Sequence, residues 1–231
     1  DFEANARDGV AVDWPIRYAE LAPWYDYVER FAGISGSREG LSQLPDGQFL
    51  PPMEMNCLER QVKDRIAKSF AGRPMIIGRV ANLTQPHNGR GGCQYRNRCI
   101  RGCPYGAYFS SNAATLPAAY ATGKLTLRPF SIVTELIYDA KTRRATGVRI
   151  VDAETNQTSE YYARVIFLCA SAIASTFILL NSISERFPNG LGNDSGELGH
   201  NLMDHHFRVG ANGQSDDFGD RFYRGQRTNG I

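Results

Sequence analysis

The sequence has neither a strong net charge nor a long uninterrupted apolar run. Its 26 Lys and Arg residues nearly balance 24 Asp and Glu residues, which leaves a net charge of +2. No long Lys/Arg run occurs, so the composition argues against a nucleic-acid-binding protein. The longest apolar stretch, residues 165–180, is interrupted by Cys169, Ser171, Ser175 and Thr176. It therefore falls short of a membrane span.

The sequence also lacks an initiator methionine and an N-terminal signal peptide. Because Asp1 is not a natural start, we expect a chain that has been processed, cleaved or only partly represented, with any targeting signal upstream of it. A length of 231 residues is enough for one large domain or two small ones.

Two packing helices are predicted in the first third of the chain. One lies within residues 13–36, where Leu21, Trp24, Val28 and Phe31 have the spacing of a buried stripe and Gly33 ends the helix. A second helix is expected at about residues 55–70, with an apolar residue at every fourth position.

The next predicted elements flank a glycine-rich segment. A short apolar run at 75–81 predicts a strand. After the glycine-rich segment, Ser111 can cap a helix over 112–121, and Pro117 should shorten or kink that helix.

The second half of the chain changes to strand periodicity. Short segments at 125–128, 132–139, 145–152 and 160–163 are rich in β-branched and aromatic residues and predict an antiparallel meander. Residues 165–170 are apolar without alternation, which predicts a strand buried on both faces, as in a parallel sheet. A small-residue turn and a helix over 175–181 follow. Such a turn lets a phosphate or a flat ring approach the backbone closely.

Three of the five cysteines, Cys93, Cys99 and Cys103, lie in the glycine-rich stretch 89–112, hereafter the cysteine loop. Their spacing is C-x5-C-x3-C-P. Thiolates are soft ligands for zinc or for the iron of iron–sulfur clusters, and neighbouring arginines help to keep thiols ionised. The closing C-x3-C-P also ends the cysteine run of bacterial ferredoxins. Three cysteines without a fourth nearby favour a three-iron cluster over a four-iron one.

Other interpretations of these cysteines stay open at this point. Two of the three could form a disulfide and leave one free thiol. A zinc site of the Cys3His type would need His87 as its fourth ligand. The three could also be structural cysteines that bind no metal.

The remaining reactive side chains favour structural roles. Asp204, His205 and His206 invite a catalytic interpretation, but adjacent residues on a strand point to opposite faces. A single histidine of this kind is usually a hydrogen-bonded structural residue. Cys57 and Cys169, expected in a helix and in a buried strand, are interpreted as small hydrophobic residues.

Several motifs together resemble the glucose–methanol–choline oxidoreductases, flavin enzymes that oxidise alcohols and sugars. Residues 13–36 resemble the entry into the substrate domain of that family. Residues 122–139, followed by 145–152, resemble the meander beside the adenine of FAD. Residues 165–182 resemble its second signature, with Ala and Ser in place of the usual glycine. LGHNLMDHH, at 198–206, resembles the G-x-N-L-x-D-H that follows in the family.

The resemblance implies a fold class of mixed α and β structure. We expect a piece of an FAD-binding, Rossmann-like domain with a β-meander, together with a piece of a substrate domain with antiparallel sheet and helices. The implied division assigns 1–86 to a helical substrate-domain part. It assigns 87–180 to the cysteine loop with the FAD-domain part, and 181–231 to a second substrate-domain part.

Within that family, the cysteine motif resembles the membrane-associated sugar dehydrogenases of bacteria, and the glucoside 3-dehydrogenases in particular. This resemblance implies a 3Fe-4S cluster on Cys93, Cys99 and Cys103, with FAD contacts at Val133, Ala170, Ser171 and Ala172. The implied activity is oxidation of a sugar or glycoside hydroxyl, expected at glucoside C3. Electrons would pass to a c-type cytochrome in the periplasm, with a small accessory subunit as a further partner.

Two motifs of the family are missing from the sequence. The dinucleotide fingerprint G-x-G-x-x-G is absent, and so are the C-terminal histidine and its partner that take the substrate proton. We therefore expect the catalytic base outside this chain, and the chain to be an internal piece that works with N- and C-terminal parts of the same subunit. Two rival hypotheses are a flavin dehydrogenase or oxidase with structural cysteines, and a binding protein that has lost the chemistry.

Overall fold

The computed structural model describes residues 2–10, 13–202, 213–220 and 230–231. The chain divides into two compact units, Asp1–Leu125 with Gly213–Ile231, and Thr126–Asn212. Helices and an antiparallel sheet are both present, which confirms the predicted mix of α and β structure. Among the described residues, every helix is too short or too polar to cross a bilayer.

The helices of the first unit are α1 (Ala4–Asp8), α2 (Tyr18–Ala32), α3 (Cys57–Ser69) and α4 (Leu116–Ala121). Gly33 ends α2 in a left-handed conformation, with φ of 75°, as the sequence predicts. A Cβ atom at this position would collide with the Leu83 side chain. Asn56 caps α3 by accepting a hydrogen bond from the Glu59 N–H, and the Glu59 carboxylate accepts one from the Asn56 N–H, a reciprocal capping box.

The predicted buried stripe on α2 is wrong. Trp24 is 68% exposed and Val28 is 56% exposed, and Ala32, in the last turn, is the buried residue of the helix. The reason is that the closest packing of α2 lies at its C-terminal end, where Gly33 meets Leu83. Within the described part of the chain, no other helix or strand packs closely against the face formed by Trp24 and Val28.

Two further predictions in the first unit need correction. The strand predicted at 75–81 is an extended segment with a single bridge, between Ser35 and Val80. The helix predicted from 112 begins with a π-helical turn, Ser111–Thr115, and continues as α4. Its cap is Ser110, whose side chain accepts from the Ala113 N–H. Pro117 lies in the first turn of α4, where the missing N–H is harmless.

The second unit is built on an antiparallel sheet with the order β1–β2–β3. Its strands are β1 (Ser131–Asp139), β2 (Arg144–Asp152) and β3 (Thr158–Tyr162), which confirms the predicted meander except for residues 125–128, which form no strand. Helix α5 (Ala172–Asn181) packs on β1, and the Ser182 hydroxyl after it accepts a hydrogen bond from the Leu136 N–H at 2.8 Å.

The buried strand predicted at residues 165–170 is not formed. Phe167 is 84% exposed and Val165 is also exposed, and Cys169, expected inside a strand, is exposed as well. A strand needs a neighbour for its backbone hydrogen bonds. Among the described residues, no strand lies beside this segment.

Candidate functional site

The cysteine loop is held at both ends by the segment 81–83. The Leu83 N–H donates to the Ala107 carbonyl at 3.0 Å, and the Leu83 carbonyl accepts from the Cys93 N–H at 2.8 Å. The Phe109 N–H donates to the Ala81 carbonyl at 2.9 Å. Leu83 itself is fully buried. The loop is therefore closed by hydrogen bonds between residues far apart in the sequence.

A buried arginine fixes the start of this loop. Arg90 is only 7% exposed, and its Nη2 donates to the Ala32 carbonyl at the end of α2, at 2.7 Å. Its guanidinium carbon lies 5.9 Å from the centre of the Phe109 ring. Burial lowers the pKa of Arg90. Gly106 lies against the aliphatic stem of Arg90, 3.2 Å from where a Cβ would stand, so this close approach favours glycine.

The loop brings the three cysteines of the motif to one cavity. Cys93, Cys99 and Cys103 all line it, and the cavity is partly open to solvent. All five cysteines of the chain are free thiols. The disulfide interpretation therefore finds no counterpart in the structure.

The three thiols have different surroundings. Burial raises the pKa of Cys93, a hydrogen bond from the Tyr95 N–H opposes that rise, and the neighbouring Cys99 and Cys103 add to it. Burial also acts to raise the pKa of Cys103, but N–H groups in the backbone that follows it outweigh burial, so the pKa is lowered. The donors are the N–H groups of Tyr108, Tyr105, Ala107 and Gly106. Cys103 is thus better prepared than Cys93 to be a thiolate ligand.

The thiols in this cavity are ligands of the type that soft metals prefer. Their arrangement, however, is not that of a site for a single metal ion. Within the described residues, no three His, Cys, Asp or Glu side chains form a group able to hold one metal ion. His87 does not line the cavity. Its Nε2 lies 2.6 Å from the Arg30 carbonyl and 3.1 Å from the Asn88 side-chain nitrogen. The Cys3His zinc interpretation therefore lacks its fourth ligand.

The residues predicted to contact FAD lie in the second unit. Val133 is in β1, at the edge of the sheet, and pairs with Ile150 just before a bulge at Thr134. An edge strand leaves one side of its backbone free for other partners. The FAD contact at Val133 stays a prediction.

Ala170 and Ser171 form the turn before α5, Ala172 is the first residue of the helix, and all three are exposed. The Ala170 N–H donates to the Ser175 hydroxyl at 3.2 Å. Ser171 has φ of 71° and ψ of 168°, a conformation that only glycine adopts without strain. No local pattern in the sequence predicts this strain. The family glycine at this turn is the signal that could have predicted it.

Some functional residues were not found from the sequence, and some lie outside the described part. Asn82, Tyr105 and Tyr108 also line the cavity, but nothing in their spacing indicates this. Asp204, His205 and His206 lie outside the described residues.

Comparison with known proteins shows the family. A family model described as GMC oxidoreductase matches residues 15–207, which is most of the chain. The chain belongs to the GMC oxidoreductase family. Its match spans the cysteine loop, the meander and α5.

The relatives are alcohol and sugar dehydrogenases or oxidases by name. A 2-methyl-1,2-propanediol dehydrogenase of Mycolicibacterium austroafricanum is 31% identical over 90% of this chain and 38% of its own length. The fructose dehydrogenase large subunit of Gluconobacter japonicus is 28% identical over 89% and 37%. The paromamine 6'-oxidase of Streptomyces fradiae is 31% identical over 84% and 35%. The chain therefore spans less than two fifths of the length of these relatives.

Proposed function

We propose that the enzyme to which this chain contributes is an FAD-dependent dehydrogenase of sugar or glycoside hydroxyls, with glucoside C3 as the oxidised position. Membership of the GMC oxidoreductases supports FAD as cofactor, and the named relatives support hydroxyl oxidation. The observation on which the electron-transfer part of the proposal rests is the cavity that Cys93, Cys99 and Cys103 line together. It supports an electron-transfer route through a 3Fe-4S cluster.

FAD would lie against the second unit in this proposal. The backbone of Val133, on an edge strand, would face the adenine, and the exposed turn Ala170–Ala172 would run beside the ribityl chain or the diphosphate. An exposed turn of small residues at the start of a helix allows a phosphate to approach the N–H groups. When bound, the flavin supplies acceptance of a hydride.

In the proposed reaction the carbon that bears the hydroxyl would give up a hydride, which the bound flavin would accept, and the hydroxyl proton would go to a base that we do not place in this chain. The product would be a ketone. The two electrons would then leave one at a time toward a c-type cytochrome, which is the terminal oxidant of this proposal.

Three cysteines and a cavity fit a cluster better than a single ion. In a three-iron cluster each thiolate binds a different iron, so the thiols stand further apart than they do around one zinc ion. The lack of a three-ligand group for one ion therefore counts against zinc more than against a cluster. The lowered pKa of Cys103 further favours a thiolate in the cavity.

The decisive experiment replaces Cys99 with Ser in the holoenzyme. Because a hydroxyl is a much poorer ligand for iron than a thiolate, Cys99→Ser should lose the cluster, measured as iron and sulfide per polypeptide and as the three-iron signal in electron paramagnetic resonance. Reduction of the cytochrome should fall sharply, while a small dye that reaches the flavin should still be reduced. Cys57→Ser and Cys169→Ser, outside the cavity, are matched controls that should keep both iron and cytochrome reduction.

A second candidate is a GMC glucose, gluconate or fructose dehydrogenase, or a sugar oxidase, in which the three cysteines are structural. The oxidase among the relatives favours it. In that case the wild-type holoenzyme would contain no iron, and the Cys99→Ser enzyme would reduce its electron acceptor at the wild-type rate.

The substrate position can be tested separately from the cluster. Methyl glucoside is blocked at the anomeric carbon, so only an enzyme that attacks another ring hydroxyl can oxidise it. We expect dye reduction with methyl glucoside and a 3-keto product. Reaction with free glucose alone would place the oxidation at C1 instead.

A periplasmic location and an accessory subunit complete the proposal. A relative named as a large subunit supports a multi-subunit enzyme. Separation of the native complex by size, followed by mass spectrometry of its chains, would identify such partners.

A further inference from the structure

A long central part of the sequence contains no carboxylate side chain. Between Asp64 and Glu135 there is no Asp or Glu, but this stretch holds ten Lys and Arg residues. They are Arg65, Lys68, Arg73, Arg79, Arg90, Arg96, Arg98, Arg101, Lys124 and Arg128. The net charge of the whole chain, +2, hides this local excess. The cysteine loop lies in the middle of it.

Two of these cations are already used inside the protein. Arg79 lies 3.6 Å from the Asp46 carboxylate, and Arg90 is buried against the end of α2. The cations near the three cysteines differ, because Arg96, Arg98 and Arg101 are exposed. None of the three pairs with a carboxylate in the part of the chain that the structure describes, although the Arg96 guanidinium lies over the Tyr105 ring, 5.9 Å from its centre.

An exposed isoleucine lies among these arginines. Ile100 is 96% exposed, the highest value among the exposed large apolar residues that the structure describes. It is the middle residue of a short 3-10 helix, Cys99–Arg101, so it directly follows a cysteine of the cavity. Arg96 and Arg98 line the same cavity. Arginine is enriched at protein–protein interfaces, and the buried centre of an interface is more apolar than its rim.

We infer that Arg96, Arg98, Ile100 and Arg101, hereafter the arginine collar, form the docking surface for an electron-accepting protein with an acidic patch around its redox centre. The inference rests on the proposed function, because it supplies the partner for electrons that leave through the cysteine cavity. Complementary charge would steer the acceptor to the shortest route from the cavity, and Ile100 would exclude water at the centre of the contact.

An anionic membrane is the other surface that unpaired arginines could meet. A membrane anchor needs a large apolar face or a lipid chain in addition to its basic residues. The collar offers one exposed isoleucine on a three-residue helix. A protein partner is therefore favoured, since a small apolar centre with a charged rim is enough for a transient complex.

Electrostatic steering makes the inference measurable. Complementary charge raises association rates by about 10- to 1,000-fold, and the effect falls steeply with ionic strength. Screening is strong because the Debye length is only about 10 Å at 0.1 M salt. Reversing the charge of the collar should remove the increase in association rate for an acidic acceptor. It should increase the association rate for a basic acceptor.

The experiment uses the holoenzyme with two c-type cytochromes of similar potential, one acidic and one basic. For Arg98→Glu with Arg101→Glu, stopped-flow rates are divided by the dye-reduction rate of the same sample. At low salt the acidic cytochrome should react at least about tenfold more slowly, with a flatter salt dependence, while the basic one reacts faster. Arg65→Glu with Arg73→Glu, also exposed and in the same acid-free stretch, is the matched control and should change either rate less than about twofold.

Iron content separates the possible failures. A wild-type holoenzyme without iron contradicts the electron route and this inference together. Iron present with unchanged cytochrome rates overturns this inference alone. If the double variant loses iron, Arg101→Glu with Ile100→Ser replaces it, since neither residue lines the cavity. If the variant loses only its binding to phosphatidylglycerol vesicles and keeps its cytochrome rates, the collar is a lipid-binding surface and the inference is wrong.

Discussion

The cysteine loop and the meander differ in the regularity of their backbone. The meander is made of strands that pair with their neighbours in sequence, over nine residues in β1 and in β2. The loop has only isolated bridges, such as Asn82 with Tyr108, and non-glycine residues with positive φ at Tyr95 and Asn97. Regular pairing makes the meander a scaffold, whereas irregular backbone allows the loop to turn three thiols toward one cavity.

Charge distinguishes the two regions as clearly as backbone does. In the sheet, Arg149 lies between two carboxylates, as it contacts Glu135 and bonds Glu160 at 2.9 Å. In the loop, three arginines near the thiols have no carboxylate partner among the described residues. Unpaired cations are useful where anionic ligands or an acidic partner must be attracted. Regular backbone and charge pairing are therefore both present in the sheet and both reduced in the cysteine loop.

The largest effect should come from the core residue that ties the loop together. Leu83→Ala removes a fully buried side chain and should cost about 2–5 kcal/mol of unfolding free energy, measured by urea denaturation. It should also lower iron loading, because the backbone of residue 83, whose carbonyl accepts from the Cys93 N–H, can shift once the side chain that packs against Gly33 is removed. Leu83→Met, which keeps the volume, is the control and should cost less than about 1.5 kcal/mol.

A matched substitution in the meander sharpens this prediction. Ile150 in β2 is also buried, so Ile150→Ala should cost a similar amount of unfolding free energy, about 2–5 kcal/mol. Iron content should nevertheless stay at the wild-type value, because Ile150 belongs to the other compact unit. Equal iron loss in both variants would contradict the prediction, because it would show that iron binding in the loop depends on the packing of the meander.

The sequence predicts the features that depend on local pattern, and it does not predict those that depend on neighbouring elements. The meander and helices α2 and α3 depend on local periodicity and capping, and the sequence predicts them. The segment 165–170 was predicted wrongly because its apolar composition says nothing about whether a strand lies beside it. The exposure of Trp24 on α2 was missed for the same reason. Periodicity shows which face is apolar, but not what covers it.

The candidate site was predictable only in part. The shared cavity of the three cysteines follows from their spacing and the glycines around them. The burial of Arg90 and the backbone donors to Cys103 do not, because both depend on hydrogen bonds that the fold alone creates. The FAD contacts at Val133 and Ala170–Ala172 stay predictions.

A smaller effect tests strain at the turn before α5. Ser171 has a positive φ that costs a non-glycine residue about 1–3 kcal/mol, and its side chain is exposed, so Ser171→Gly loses little packing. We expect a higher melting temperature for this variant. Ala174→Gly, inside α5, should instead cost about 1 kcal/mol and lower the melting temperature. A lower melting temperature for both variants would show that Ser171 is not strained.

The smallest effect concerns the acid stability of the meander. The Asp152 carboxylate accepts from the Thr155 N–H at 2.9 Å and the Glu154 N–H at 3.0 Å, and these hydrogen bonds lower the pKa of Asp152. A lowered pKa in the folded state stabilises the fold above the unfolded value, about 3.9, and this contribution is lost as pH falls through the folded pKa. Asp152→Asn should therefore flatten the decline in melting temperature below about pH 4, while Glu154→Gln, in the same turn, should leave it unchanged. An equally steep decline in both variants would mean that the turn at Asp152 does not contribute to acid sensitivity.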